Sequence, residues 1–232
     1  LAAIVALGDA RARLRADGDV DIGNIVNPHL LPQSAGNLVQ PPFGQGLRNP
    51  RATLFSTYGA DAGLAARSLA GDVRLDSTTL STTGFADLLG TPQASAQNTL
   101  ASGFLPPTLA LIAYLGDVAV GTPASGNLTL SPSPAGTLDI LAGGSIALNA
   151  NLALSDMDPR YVPDAANPQG TTTQTATARP AVPDLLIYPF STLGNIHASV
   201  PVHAADRAPA RILAASGDIV GVNQAQGKVL NV

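Results

Sequence analysis

A short pattern recurs along this chain: an apolar run, then Gly followed by Asp or Ser, then alternating apolar residues. It is clearest in "RADGDVDIG", "SLAGDVRLD", "AYLGDVAVG", "LAGGSIALN" and "AASGDIVGV", which span Arg15–Gly23, Ser68–Asp76, Ala113–Gly121, Leu141–Asn149 and Ala214–Val222. Gly adopts backbone angles that other residues avoid, and a neighbouring Asp can hydrogen-bond its own backbone. The alternation that follows has the period of two of a half-buried strand. The pattern therefore predicts a strand, a tight corner and a second strand.

The spacing of these corners indicates the kind of β-protein. Gly8 and Gly18 are ten residues apart, and so are Gly116, Gly126 and Gly136 in turn. Such corners would recur at half-turns or full turns of a coil, and self-similarity at about 20 to 30 residues is typical of a solenoid. We therefore expect the segments after the corner glycines to pair in parallel. The residues expected to point inward are Val20, Ile22, Val73, Leu75, Val118, Val120, Ile146 and Leu148.

Composition supports a β-rich chain and argues against several functions. All 16 acidic residues are Asp and Lys228 is the single lysine, whereas helical surfaces usually draw on Glu and Lys. With no Trp and 4% aromatic residues, the core has to be built from Ala, Leu, Val and Ile. A net charge of -4 argues against nucleic-acid binding. The lack of Cys excludes disulfides and thiolate sites.

The segment "ARARLRADGDVDIG" raises the question of a basic patch. On a helix, Arg11, Arg13 and Arg15 would scatter around the axis, whereas on a strand they share one face. The alternation predicts a solvent-facing strand surface; the alternative is a patch that contacts an acidic partner. The residues expected to lie inside are Ala10, Ala12, Leu14 and Ala16.

The apolar stretches are interpreted as strands. "LAAIVAL" lacks a basic region and soon meets Asp9, so it predicts a core strand rather than a signal peptide. The longest stretch, "TLALIAYLG" (Thr108–Gly116), is too short to cross about 30 Å of hydrocarbon as a helix. We therefore expect no membrane insertion.

Residues 1–232 are predicted to form a single solenoid segment, since no linker divides them. Three less regular stretches are expected to be inserted loops, at about 27–50, 83–107 and 156–184, with a short helix near "FADLLG" in the second. Exposed binding residues tend to lie on such insertions, so we expect any partner contact there.

Two longer segments carry a family resemblance. "NLTLSPSPAGTLDILAGGSIALNANLALSDMDP" (Asn127–Pro159) and "APARILAASGDIVGVN" (Ala208–Asn223) resemble the large filamentous haemagglutinin-like exoproteins of Gram-negative bacteria. The resemblance implies a right-handed parallel β-helix, two-partner secretion through an outer-membrane transporter, and an adhesive or filament role outside the cell. It also implies an interior or distal fragment, since the family's secretion signal is not recognisable. No catalytic motif of the family carries over to these residues.

Asp residues are the main candidates for a metal site. Asp156, Asp158 and Asp164 could supply oxygen ligands to Ca²⁺, but neighbouring prolines and the lack of a calcium-loop pattern favour loop capping. The corner residues are interpreted as turn formers, with staggered or separated corners, because like charges on adjacent strands repel. These corner residues are Asp9, Asp19, Asp72, Asp117 and Asp218.

The histidines and serines give weaker signals. His197 and His203 share strand parity, with Asp206 as the nearest carboxylate, whereas His29 lies in a predicted loop. Two imidazoles without a third ligand do not make a metal or acid-base site. No serine nucleophile motif or phosphate-binding loop is present. We therefore predict no catalytic, metal or cofactor-binding residue.

Two classes of function remain open from the sequence. The first is a non-enzymatic structural or adhesive segment of a secreted bacterial surface filament, with surface glycans or proteins as partners. The alternative is a carbohydrate-active β-helix enzyme, a polysaccharide lyase or hydrolase, for which Asp158, Asp164 and Tyr161 would form the candidate cleft. A β-sandwich also fits short strands with turns, but the corner repeats disfavour it.

Overall fold

The computed structural model describes residues 2–26, 58–77, 104–123, 125, 127–155, 202–206, 208–221, 224–225 and 230–231. All regular secondary structure in these ranges is β-strand, and no helix occurs in them, so the all-β prediction is confirmed there. The strands are β1 (Ala3–Ala6), β2 (Arg11–Ala16), β3 (Val20–Val26), β4 (Gly63–Ser68), β5 (Val73–Leu75), β6 (Phe104–Leu105), β7 (Thr108–Ala113), β8 (Val118–Val120), β9 (Asn127–Leu130), β10 (Thr137–Ala142), β11 (Ile146–Leu148), β12 (Asn151–Leu154), β13 (Ala210–Ala214), β14 (Ile219–Val220), β15 (Gln224–Ala225) and β16 (Leu230–Asn231).

These strands form three parallel sheets. Sheet 1 has the order β1-β3-β5-β8-β11-β14, sheet 2 the order β2-β4-β7-β10-β13-β16, and sheet 3 the order β6-β9-β12-β15. From β6 onward the chain visits sheets 3, 2 and 1 in rotation, so strands that pair in a sheet are not consecutive in the chain. Parallel pairing requires such returns, and the arrangement is compatible with a solenoid.

The predicted parallel pairing of the segments after the corner glycines is confirmed. These segments are β5, β8, β11 and β14, which are neighbours in sheet 1. Val73 aligns with Val118, Val118 with Ile146, and Ile146 with Ile219. Because side chains on a strand alternate between two faces, this register keeps the β-branched residues of successive strands on one face.

Alternating burial along each strand defines the interior. In β7, Leu109, Leu111 and Ala113 are buried, whereas the residues between them are partly exposed. Side chains from all three sheets join one hydrophobic core, in which a fully buried Leu contributes about 1.5 to 3 kcal/mol. All eight residues predicted to point inward are buried: Val20, Ile22, Val73, Leu75, Val118, Val120, Ile146 and Leu148.

One tyrosine lies in this otherwise aliphatic core. Tyr58 is buried at the start of the segment that leads into β4. Burial raises the pKa of its hydroxyl above the usual value, because the phenolate would lose its hydration.

The first strands of sheets 1 and 2 are less buried than the sequence predicted. The segment "LAAIVAL" does contain β1, but Ile4 is 46% exposed, and among its described residues, 2–7, only Leu7 is buried. Leu14 is half-buried, and Ala10, predicted to lie inside, is exposed. The reason is position: β1 and β2 each pair on one side only, so no further strand covers them in the described structure.

The ten-residue spacing of corners has a different meaning from the one predicted. Gly116 precedes a strand of sheet 1 and Gly136 precedes a strand of sheet 2, with β9 of sheet 3 between them. Thr108 of β7 pairs with Thr137 of β10 after one passage through all three sheets. The corners therefore mark the joins of three sheets, and not half-turns.

The predicted loops fall largely outside the described residues. This holds for 27–50, 156–184 and the helix expected near "FADLLG". The end of the stretch 83–107 is described, and there Phe104–Leu105 forms β6 and pairs with β9. That part of the predicted loop therefore belongs to sheet 3.

Candidate functional site

Most side chains that the sequence proposed for chemistry lie outside the described residues. These are Asp156, Asp158 and Asp164 for a cation, Tyr161 for a sugar cleft, and His29 and His197. Within the described ranges, no group of three or more His, Cys or acidic residues is arranged to hold a metal ion. The loop-capping role predicted for the three Asp residues therefore stays a prediction.

His203 and Asp206 are both described and lie close together. His203 is buried, and its Nδ1 is 3.8 Å from Oδ2 of Asp206. The same turn is closed by main-chain hydrogen bonding from Asp206 N to His203 O at 3.0 Å, and Asp206 Oδ1 accepts from the N–H of Ala208 at 2.8 Å. Both residues therefore take part in a turn that leads into β13.

Five similar corners join sheet 2 to sheet 1 and lie against one another as a corner stack. They comprise residues 17–19, 69–72, 114–117, 143–145 and 215–218. In each of these corners, the last residue occupies an equivalent position, because the strands that follow, β3, β5, β8, β11 and β14, are in register. These five positions, which we call the corner ladder, are Asp19, Asp72, Asp117, Ser145 and Asp218.

The first four side chains of the corner ladder each accept a hydrogen bond from the main chain of the next member. Asp19 Oδ1 accepts from Asp72 N at 2.9 Å, and Asp72 Oδ1 accepts from Asp117 N at 2.9 Å. Asp117 Oδ1 accepts from Ser145 N at 2.6 Å, and Ser145 Oγ accepts from Asp218 N at 3.3 Å. The side chains thus cap backbone donors that the sheet ladders leave free at the corners.

The expectation of staggered or separated corners is therefore wrong for Asp19, Asp72 and Asp117, whereas the Ser145 corner does separate Asp218 from Asp117. Asp19, Asp72 and Asp117 lie on adjacent strands, and the N–H groups that point at their carboxylates offset the repulsion between like charges. Solvent exposure of the corner weakens the repulsion further. The turn-forming role is confirmed for these three residues. Asp9 does not belong to the corner ladder, because it lies between β1 and β2 at a different join.

Three of the six arginines in the described ranges, Arg11, Arg74 and Arg211, are paired with Asp residues. Arg74 is 2.6 Å from Asp72 and 3.6 Å from Asp21. Arg211 donates to Asp139 at 2.7 Å, and this hydrogen bond, with the attraction between the charges, raises the pKa of Arg211. Because the arginines are exposed, solvent screens pairs of this kind and they add little to stability.

The opening arginines lie where the alternation predicted. Arg11, Arg13 and Arg15 are exposed on β2, and the residues between them are half-buried. Arg11 pairs with the side chain of Asp61 at 3.0 Å. The predicted outward direction of these arginines is thus confirmed, whereas contact with an acidic partner stays an open alternative.

A surface groove lies beside the corner stack, where the sequence predicted no site. Its volume is about 440 Å³, and its lining includes Arg15, Asp17, Arg67, Leu69 and Tyr114. We call it the Arg/Tyr groove. The sequence did hold a signal for it, since Arg15 and Arg67 precede their corner glycines by three and four residues in matching copies of the repeat. Without the register, nothing indicated that they are adjacent.

Buried serines link separate parts of the chain. Ser68 Oγ donates to the carbonyl of Gly18 at 2.7 Å and accepts from the N–H of Gly71 at 2.9 Å. Ser133 Oγ donates to the carbonyl of Ala60 at 2.8 Å. These hydroxyls are engaged with the main chain, where they hold corners and turns together.

Comparison with models of protein families, with curated proteins and with solved structures finds no match to this chain. A search for membrane-spanning helices in the described ranges also finds no candidate. The stacked sheets, the corner ladder and the Arg/Tyr groove are therefore the features of the described residues that bear on function.

Proposed function

We propose that this chain is a right-handed parallel β-helix and that it serves as a non-enzymatic structural and adhesive segment of a secreted bacterial surface filament. One observation carries the proposal: successive corners stack in register, with parallel strands of three sheets around one core. Main-chain hydrogen bonds then run along the stacking direction, as a stiff rod requires. Five steps of about 4.8 Å make a six-stranded sheet about 24 Å long.

The corner ladder supports a structural role for the conspicuous aspartates. Asp19, Asp72 and Asp117 each accept a main-chain N–H from the adjacent corner. A carboxylate held in this way stabilises the stacking and is less available as a general acid or nucleophile. The alternative of a polysaccharide lyase or hydrolase thus gains no support from these residues.

Export and adhesion rest on the resemblance to filamentous haemagglutinin-like exoproteins. They predict an outer-membrane transporter as a partner during export, and surface glycans or proteins as partners afterwards. The inserted stretches 27–50 and 156–184 are the proposed contact regions.

Antibodies against the purified chain test the export part of this proposal. We expect them to label intact cells of the organism that makes the protein, and we expect the label to disappear when the outer-membrane transporter is deleted. Labelling only after the cells are opened, in both strains, would contradict secretion.

Binding of the purified chain to a glycan array and to cultured cells tests the adhesive part. Variants that lack 27–50 or 156–184 should lose binding while their urea unfolding stays that of the intact chain. Undiminished binding by both variants would refute the assignment of contact to these stretches. Release of new reducing ends from a polysaccharide would favour the enzymatic alternative instead.

A further inference from the structure

The Arg/Tyr groove combines two unpaired positive charges with exposed apolar side chains. Arg15 and Arg67 lie directly opposite each other on β2 and β4. Like charges at opposite positions of adjacent strands destabilise a sheet. The pair therefore has a cost in the free protein that a bound anion would relieve.

Neither arginine has an ion pair within the described residues, in contrast to Arg11, Arg74 and Arg211. Nε of Arg67 is buried and has no hydrogen-bond partner there. A buried donor without a partner costs about 1 to 3 kcal/mol, so the side chain of Arg67 would gain from turning outward to an acceptor on a ligand. Asp17, the carboxylate in the lining, leaves a net positive charge against the two arginines.

Part of the groove lining is apolar and exposed. Leu69 is 56% exposed and Tyr114 is 52% exposed, and Leu115 beside them is 72% exposed. Leu69 and Tyr114 belong to adjacent corners, since Leu69 N donates to Ala16 O while Tyr114 N donates to Ser68 O. Exposed apolar side chains that cluster beside charged residues are typical of an interaction site.

We infer that the Arg/Tyr groove binds an acidic peptide segment of another protein, in which a carboxylate lies next to an apolar side chain. The carboxylate would accept from the two guanidinium groups, and its apolar neighbour would cover Leu69 and Tyr114. This inference goes beyond the proposed rod function, and it depends on neither export nor the handedness of the coil.

Charge and hydrogen-bonding capacity favour a peptide over a sugar. An uncharged sugar could bond to Arg15, Arg67 or Asp17, but it would leave the two adjacent guanidinium charges without a counter-charge. The side chain of Leu69 offers no hydrogen bond, so sugar hydroxyls placed against it would lose hydration without compensation. An apolar side chain has no such cost.

Calorimetric titration with two synthetic peptides tests the inference. The first is a blocked peptide in which glutamate alternates with phenylalanine and leucine, and the second replaces each glutamate with glutamine. We expect saturable binding of the first that weakens as salt is raised, and at least about tenfold weaker binding of the second, the factor for one charge-assisted hydrogen bond. No binding of the acidic peptide, or equal binding of both, would overturn the proposal.

Three variants localise the binding. Arg67→Gln should weaken the acidic peptide by about tenfold, and Tyr114→Ser should weaken it while leaving the arginines in place. Arg13→Gln is the matched control, since it removes the same charge from β2 at a position opposite Ala65, and it should change binding less than about twofold.

Urea unfolding of each variant checks that a loss of binding is not a loss of fold. Equal weakening by Arg13→Gln and Arg67→Gln would mean that peptide binding depends only on the overall charge of the protein. It would refute binding in the Arg/Tyr groove. Binding of oligogalacturonate in place of the peptide, sensitive to Arg67→Gln, would assign the groove to a glycan and likewise refute the peptide. Neither result would bear on surface labelling of cells, so this proposal can fail while the rod function stands.

Discussion

Glycine at the corners gives the sharpest test of stacking. A Cβ added at Gly116 would meet the main chain of the adjacent corner, at the carbonyl of Gly71, and Asp72 Oδ1 at 2.7 Å. A Cβ added at Gly18, the first member of the corner stack, would meet nothing within 4 Å among the described residues. Neither glycine has the left-handed φ that would strain alanine by itself. Gly116→Ala and Gly18→Ala therefore differ mainly in whether a corner lies against them.

The magnitude follows from two opposing effects. Overpacking against main-chain atoms costs about 1 to 3 kcal/mol, because the neighbouring corner has to move. Replacing Gly by Ala lowers the entropy of the unfolded chain and stabilises by about 0.4 to 1 kcal/mol where the backbone allows it. We expect Gly116→Ala to lower the free energy of unfolding by roughly 1 to 2 kcal/mol, and Gly18→Ala to leave it unchanged or raise it slightly.

Urea unfolding followed by far-ultraviolet circular dichroism measures both variants under the same conditions. Gly71→Ala serves as a second stacked case, since its Cβ would meet the main chain of Gly18 and Asp19. If Gly18→Ala destabilised the protein as much as Gly116→Ala, contact between successive corners would not be the reason for glycine at these positions. The stacking of corners in register would then be refuted.

Three further predictions address the corner ladder, the core and the buried tyrosine. Asp117→Ala should lower the free energy of unfolding in urea by about 1 kcal/mol, because the N–H of Ser145 loses its acceptor. Asp117→Asn keeps a side-chain oxygen and should cost less than half of that. Equal losses in the two variants would refute the capping role of Asp117. Leu111→Ala, in the middle of sheet 2, should lower the free energy of unfolding by about 2 to 5 kcal/mol in the same assay. This cost should be clearly larger than that of Leu14→Ala on the half-buried first strand. Equal costs would contradict the position of β2 as the outermost strand of the sheet. Burial raises the pKa of Tyr58, so its contribution to the free energy of unfolding should be constant below the unfolded pKa of about 10. Above that pH the contribution should fall by up to about 1.4 kcal/mol per pH unit, because the unfolded state releases the proton first. Tyr58→Phe should remove this part of the alkaline slope and Tyr114→Phe should not; an unchanged slope in Tyr58→Phe would refute the assignment.

The alternation of apolar residues was sufficient to predict the strands and their inward faces. Val73, Leu75, Val118 and Val120 are buried as the period of two required, because a strand can bury only every second side chain on one face. The same reasoning placed Arg11, Arg13 and Arg15 on the surface, and all three are exposed on β2.

The exposure of the outermost strands, β1 and β2, could not be predicted from the sequence. Ile4 and Ala10 have the local pattern of inward residues, but their exposure depends on whether another strand covers β1 and β2. A local pattern carries information about which face a side chain takes, and none about how many strands lie on each side of it.

The sequence by itself determined that this chain builds strands joined by glycine corners, with an aliphatic core and Asp residues as turn formers. Only the tertiary structure decided which corners are adjacent, and hence that Asp72 caps Asp117 and that Arg15 lies opposite Arg67. The physical reason is that corner conformation and strand alternation arise from neighbours along the chain, whereas register arises from contacts between strands about 20 to 70 residues apart.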